Sequence, residues 1–141
     1  MSDKEKFEGF KQYLIDENEQ SYGKEVREKF GDEAIDASNA KLKGMTQAQY
    51  DAAQALSAQI NENLVAAMQN GDPACDAAQK ACELHKEWLC LFWPDGMYNK
   101  QTHKGLGEMY AADERFKAYY DKIAPGAAEF LRDALNIYCA E

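Results

Sequence analysis

Apolar side chains recur along this chain at three- and four-residue intervals, the spacing of a helix face, and no stretch reads as a strand ladder. Phe7, Phe10, Tyr13 and Leu14 form a first segment. Tyr22, Val26 and Phe30 form a second that Gly31 ends, and Asp32 can cap a third running through Ile35 and Leu42 to Gly44. These pieces are short and heavily charged, so they depend on docking to the rest of the chain. Thr46 and Gln49 make a capping box ahead of the stripe Tyr50, Ala53, Leu56, Ile60, Leu64 and Met68, which Asn70-Gly71 stops. Asp72-Pro73 signals the next helix, an N-cap followed by a proline in the first turn. Its stripe, Ala74, Ala77, Ala81, Leu84, Trp88 and Leu91, passes from small to large, which leaves room at its C-terminal end. Pro94-Asp95-Gly96 is a turn and residues 97–101 read as loop. A short helix then carries His103, Leu106, Met109 and Tyr110, and another carries Phe116, Tyr119, Tyr120 and Ile123. Pro125 opens the last, with Ala128, Leu131, Leu135 and Tyr138 on one face. The fold class expected is all-α: a single irregular, globin-like helical domain of about seven or eight helices with a deep cleft.

Composition narrows the function. At 141 residues the chain is one domain, large enough for a core with a pocket cut into it. The N-terminus lacks the pattern of a signal peptide, and no apolar run approaches the length of a membrane span, so a cytoplasmic protein is expected. The net charge is −9, with 7 acids against 2 bases over residues 44–98. A duplex-binding surface needs clustered Lys and Arg, and none is present, so this chain alone is not expected to bind nucleic acid. Cys75, Cys82, Cys90 and Cys139 form no CxxC pair. The first three, seven and eight residues apart on one helix, lie beyond disulfide reach of each other, so they read mostly as reduced core residues.

The stretch from His85 to Tyr120 holds both histidines, both tryptophans, and Tyr98, Tyr110, Tyr119 and Tyr120. Such polar-tipped rings suit a cavity that is partly apolar and partly wet. Trp88, on the apolar stripe, reads equally as core or as cleft wall; Trp93, at a helix end beside a turn, reads as wall. Leu89, Met97, Met109, Tyr98, Tyr110 and Tyr119 complete the candidate lining, with methionines as adaptable surface. His103 fits a polar anchor at the rim. His85, three residues before Trp88, fits a hydrogen-bonded structural residue with a cleft role open. The two histidines lack a third metal ligand and a triad-like partner, so neither a metal site nor catalysis is expected. Gly105 and Gly107, inside a helix at a cost of about 1 kcal/mol each, point to close packing of a neighbouring helix or a ligand.

With those residues in view, the chain resembles the TipA-type antibiotic-recognition domain, the effector part of MerR-type multidrug-sensing regulators. The matching stretches are Tyr22–Gly31 (YGKEVREKFG), the GMTQAQY around Met45, His85–Pro94 (HKEWLCLFWP), His103–Asp121 (HKGLGEMYAADERFKAYYD) and Pro125–Ala134 (PGAAEFLRDA). They span nearly the whole chain in the family's order. The resemblance implies a globin-like domain over residues 1–141 with a cleft for thiopeptides and other bulky amphipathic ligands. In it residues 1–44 are mobile without ligand and 45–141 form the core. Two departures stand out. The helix-turn-helix of the family's regulators is not found in this sequence, so direct transcription control is not implied. Some members capture a thiopeptide through a cysteine in the loop before the GLGEMY helix, and here Asp95–Thr102 (DGMYNKQT) contains none.

The function expected is non-catalytic binding of bulky amphipathic small molecules, antibiotics foremost, by sequestration or sensing, with no cofactor. The ligand-binding set is His85, Trp88, Leu89, Trp93, Met97, Tyr98, His103, Met109, Tyr110 and Tyr119. The acidic middle of the chain favours a cationic or amphipathic ligand. The rival is a protein-interaction module that docks a peptide or partner regulator in the same cleft; a partner regulator or a homodimer is compatible with either.

Overall fold

The computed structural model describes residues 2–140 as seven α-helices, and no strand occurs among them. The sequence places nearly every boundary by its turn chemistry. α1 (Asp3–Phe30) starts where the Ser2 hydroxyl accepts the Glu5 N–H and ends at Gly31, whose φ of 92° few other residues adopt. α2 (Asp32–Lys43) follows immediately, then α3 (Gln47–Asn70), opened by the Thr46–Gln49 capping box and closed by Gly71 at φ 88°. α4 (Asp76–Phe92), α5 (Lys100–Ala112), α6 (Glu114–Ile123) and α7 (Ala127–Tyr138) complete the chain. α5 opens on a second capping box, Asn99 with Thr102.

Several local expectations change. Asp32 is the first residue of α2 and caps nothing, since Gly31 stands at the N-cap with no side-chain bond, and Lys100 and Gln101, read as loop, already belong to α5. The first two apolar segments belong to one 28-residue helix, α1. Between them, Asp16 to Ser21 is polar yet contains neither glycine nor proline, so nothing breaks the helix. Asp72-Pro73 forms a turn rather than a helix start: Asp72 Oδ1 accepts the Ala74 N–H at 2.9 Å, and α4 begins three residues after Pro73. Ala74 is accordingly exposed. The buried row of α4 is Ala78, Ala81, Cys82, Leu84, His85 and Leu89, because the helix is covered on two sides, by α3 and α7. Finally, Pro125 lies in the turn before α7. Its helix starts after Gly126, which is left-handed at φ 86°, while Asp121 Oδ1 accepts the Ala128 N–H.

The main core lies among α3 to α7, with Leu64, Cys82, Leu89, Leu131 and Leu135 at or near zero exposure. The α5–α7 contact is close enough that Gly107 sits against Leu135 and Arg132 of α7. A second, smaller cluster joins Ile15, Leu42 and Met45 with Leu14, Tyr50, Leu91 and Phe92. α1 and α2 pair with each other, and α2 rests on α4. The gap between the two clusters is the cleft. The four cysteines are free: Cys82 and Cys139 are buried, Cys75 is half-buried and Cys90 is exposed. No helix among the described residues is long and apolar enough to cross a membrane.

Candidate ligand cleft

The floor of the cleft is built from the C-terminal end of α4 and the middle of α5. Trp88, Leu89, Phe92 and Trp93 come from the first, Leu106, Met109 and Tyr110 from the second, and Phe116 from α6 closes one side. The rings brace each other: Trp88 on Phe92 (4.8 Å between centroids), Tyr110 on Phe116 (5.4 Å), and Trp93 on Phe30 of α1 (5.7 Å). The roof is α1 and α2, which contribute Leu14, Tyr22, Val26, Phe30, Ile35 and Leu42, with Tyr50 and Gln54 of α3 at one end. Tyr22 stacks on Phe116 at 4.3 Å, so roof and floor meet through aromatic faces. The cleft, open on one side, has a volume of about 360 Å³, in the range of small-molecule sites.

α2 is fastened to the floor by completing α4. The last carbonyls of a helix lack internal partners. Here Ser38 Oγ donates to Phe92 O at 2.7 Å, and Lys41 Nζ donates to Cys90 O and Trp93 O, both at 2.8 Å. α1 is pinned at two places. Lys11, 1% exposed, donates to Lys43 O (2.6 Å) and Met45 O (2.9 Å) and pairs with Glu8, so all three of its protons are used. Farther along, the Arg115 guanidinium donates to the Ser21 carbonyl, pairs with Glu25 and Asp113, and lies 5.2 Å from the Tyr22 ring.

Glu19 is the one charged side chain among the described residues that line the cleft; Asn18, Ser38, Asn39 and Gln54 supply uncharged polar groups. Its carboxylate accepts a forked pair of bonds from Arg27 and one from Asn39, and the Arg27 fork holds its pKa below the usual value. Gly23 makes room for this: a Cβ there would lie 2.5 Å from Glu19 Oε2. Arg27 also meets Asp32 and Asp36, so three carboxylates share one guanidinium and this side of the cleft carries an acidic surplus.

Behind the floor, His85 and His103 face each other, Nδ1 to Nε2 at 2.7 Å. Tyr98 reaches His103 Nδ1 at 2.8 Å, and Tyr110 reaches His85 Nε2 at 3.3 Å. Burial pushes His85 down to about 3, helped by the neighbouring imidazole. Burial and the Lys86 charge push His103 down to about 4, against the opposing pull of Glu83. Both rings are therefore neutral at pH 7. No group of three His, Cys, Asp or Glu able to hold a metal occurs among the described residues.

Of the ten residues expected to line a ligand site, Trp88, Leu89, Trp93, Met109 and Tyr110 stand on the cleft wall. His85 and His103 lie directly behind it, at 2% and 0% exposure, so His103 is a core residue and not a rim anchor. Met97 and Tyr98 do not line the cleft; both pack on the main core, with the Tyr98 ring 6.2 Å from that of Trp93. Tyr119 is 51% exposed and points outside, its ring edge-on to buried Tyr120. The whole roof escapes a search by aromatic density. Its signal is subtler: the polar interruption at Asn18-Glu19 in the apolar row of α1 marks the cleft and not a helix boundary.

Comparison with known proteins bears on this geometry. Residues 22–138 match the family described as the TipAS antibiotic-recognition domain. The chain is similar to the HTH-type transcriptional activator TipA of Streptomyces coelicolor, 34% identical over 137 residues that cover 96% of this chain and 52% of that protein. It is also similar to the HTH-type transcriptional activator mta of Bacillus subtilis, 29% identical over 99% of this chain and 53% of that protein. The chain thus spans about half the length of these relatives. Among solved structures, TipAS of Streptomyces lividans in complex with nosiheptide superposes with a TM-score of 0.71 at 31% identity, covering 86% of this chain and 85% of that one.

Proposed function

The chain belongs to the TipAS antibiotic-recognition family, and on that premise we propose that its cleft captures bulky, amphipathic, antibiotic-like molecules without chemical turnover. The observation that carries this reading is the aromatic cleft closed over by α1 and α2. Indole and phenol rings offer large contact area at low entropic cost. The single lining acid, with no lining base, favours uncharged or cationic ligands over anions. A ligand larger than about 360 Å³ can extend through the open side of the cleft or part α1 from the floor, since α1 is held chiefly through α2. Capture is non-covalent: Cys90, the cysteine nearest the floor in sequence, is exposed and does not line the cleft. The protein acts in the cytoplasm, either lowering free drug stoichiometrically or acting as the sensing half of a regulator.

Trp88 and Trp93 are both on the floor and are the chain's only indoles, so intrinsic fluorescence reports occupancy directly. Titration with nosiheptide, with a lipophilic cationic dye and with an anionic dye of similar size should quench the emission saturably for the first two. At 100 times its dissociation constant a ligand adds about 2.7 kcal/mol to folding stability, a rise of roughly 5–12 °C in melting temperature. A flat fluorescence and thermal response from a cooperatively melting protein would instead favour docking of a partner peptide or helix.

A further inference from the structure

The two buried histidines are joined in a line of ring side chains that begins outside the cleft and ends at its floor. Tyr98 bonds to His103, His103 to His85, and His85 to Tyr110, whose ring lines the cleft floor. Tyr110 also packs on the ring of buried Tyr120, with 4.8 Å between centroids. His85 also lies beneath the Trp88 indole, their planes 19° apart with centroids at 5.8 Å. One imidazole that never reaches the cavity thus touches two of the residues that shape its floor.

A neutral imidazole carries one ring proton, and the partner of one nitrogen decides which nitrogen keeps it. Between His85 Nδ1 and His103 Nε2 there must be one proton. Two would collide; none would leave two lone pairs facing at 2.7 Å. The rings are therefore locked to the same tautomer. In one arrangement both carry Nδ1–H, and the bonds run from Tyr110 through His85 and His103 to Tyr98. In the other both carry Nε2–H and the bonds run backwards. In either arrangement the bonds run one way through all four side chains.

We propose that Tyr98, His103 and His85 form a positioning relay that holds Trp88 and Tyr110 in place through one concerted hydrogen-bond direction, tying the cleft floor to the α4–α5 loop. The relay rests on the reading of the cavity as a ligand cleft for its functional consequence, but its physical core does not need a ligand. Tyr98 is the informative end. Its hydroxyl contacts neither the cavity nor Trp88, yet removing it deprives His103 Nδ1 of its hydrogen-bond partner. The strain passes along the pair to His85.

The chain has two histidines, so ¹⁵N-histidine labelling gives four ring-nitrogen signals. In the wild-type chain at pH 7 both rings are expected in the same tautomer. One ring of each tautomer would overturn the relay, and that measurement needs no variant. In Tyr98→Phe, His85 is expected to change tautomer population although its own neighbours are unaltered, and the Trp88 indole resonance to move with it. Unchanged His85 and Trp88 signals would overturn the proposal. Affinity for nosiheptide, used as the probe, should weaken about 3–10-fold, within the span by which residues that touch no ligand modulate a linked site. Equal binding by variant and wild type would remove the functional tie and leave the cleft reading standing. Failure of the wild type to bind would count against the cleft reading for this ligand, and the tautomers and the Trp88 resonance would still decide the relay.

Discussion

Moving the protein from pH 7 to pH 5 should cost it on the order of 4 kcal/mol of folding stability, a large fraction of the roughly 5–15 kcal/mol that folded domains have. The cause is the histidine pair. Both folded-state values, about 3 for His85 and about 4 for His103, lie below the roughly 6.5 of an unfolded imidazole. The unfolded chain therefore binds more protons below pH 6.5, and stability rises with pH through that window. The stability is fully present above pH 6.5 and is lost as the pH falls toward the folded values. At pH 5 each ring contributes a loss of about 2 kcal/mol, since one pKa unit is about 1.36 kcal/mol. Melting temperature should fall by roughly 10–15 °C across these two pH units. These two are the chain's only histidines, so the slope in this window carries both of their protons. The slope near pH 5.5 should therefore report about 1.8 protons taken up on unfolding. His103→Gln should roughly halve it. A melting temperature unchanged between pH 7 and pH 5 would mean that the imidazoles are not held neutral by burial.

The second large effect separates two glycines that look alike in sequence. In Gly107→Ala the new Cβ would sit 2.7 Å from Leu135 Cδ1 and 3.7 Å from Arg132 Cα. Leu135 is fully buried and cannot step aside. Forcing a methyl into a packed core costs about 1–3 kcal/mol, and the gain of about 1 kcal/mol from replacing a helical glycine offsets only part of it. Gly107→Val, bulkier and β-branched, should cost more, and either change should loosen α5 from α7. At Gly105 a Cβ meets only the end of the Lys29 side chain, at 3.4 and 3.5 Å. There the helix gain dominates, and Gly105→Ala should be neutral to stabilising by up to about 1 kcal/mol. Thermal or urea unfolding of the two alanine variants tests this directly; a drop in stability at 105 equal to that at 107 would refute it.

These glycines show where the chain's own sequence stops being informative. GLG inside a helix announces that a Cβ is unwelcome somewhere, because the helix tolerates glycine at a cost. Only the approach of α7 decides that position 107 carries the constraint. Helix boundaries were legible where the signal is local and was read: Gly31, Gly71 and the capping box at Thr46 act within four residues of themselves, whereas the Asn99 box lay in a stretch read as loop. So was the all-α class, since the apolar period repeats within each helix. Trp88, Leu89, Trp93, Met109 and Tyr110 were legible as a group because aromatic density concentrates in one stretch of chain.

The roof of the cleft was not. Tyr22, Val26 and Phe30 look like any helix stripe, and Asn18-Glu19 looks like a break in it, until α2 folds back and brings Asn39 to Glu19, which Arg27 already holds from two turns along α1. Lys11 carries no sign in the sequence that it will be buried; three acceptors gathered from α1 and the α2–α3 turn make burial tolerable. His85 and His103, 18 residues apart, could be expected to meet, but whether on a rim or in a core depended on α7 covering them. Local chemistry acts through the backbone over a turn or two, so the sequence by itself determined the helices and their ends. Burial, partnership and the shape of the cavity arise from contacts between helices distant along the chain, and only the tertiary structure decided those.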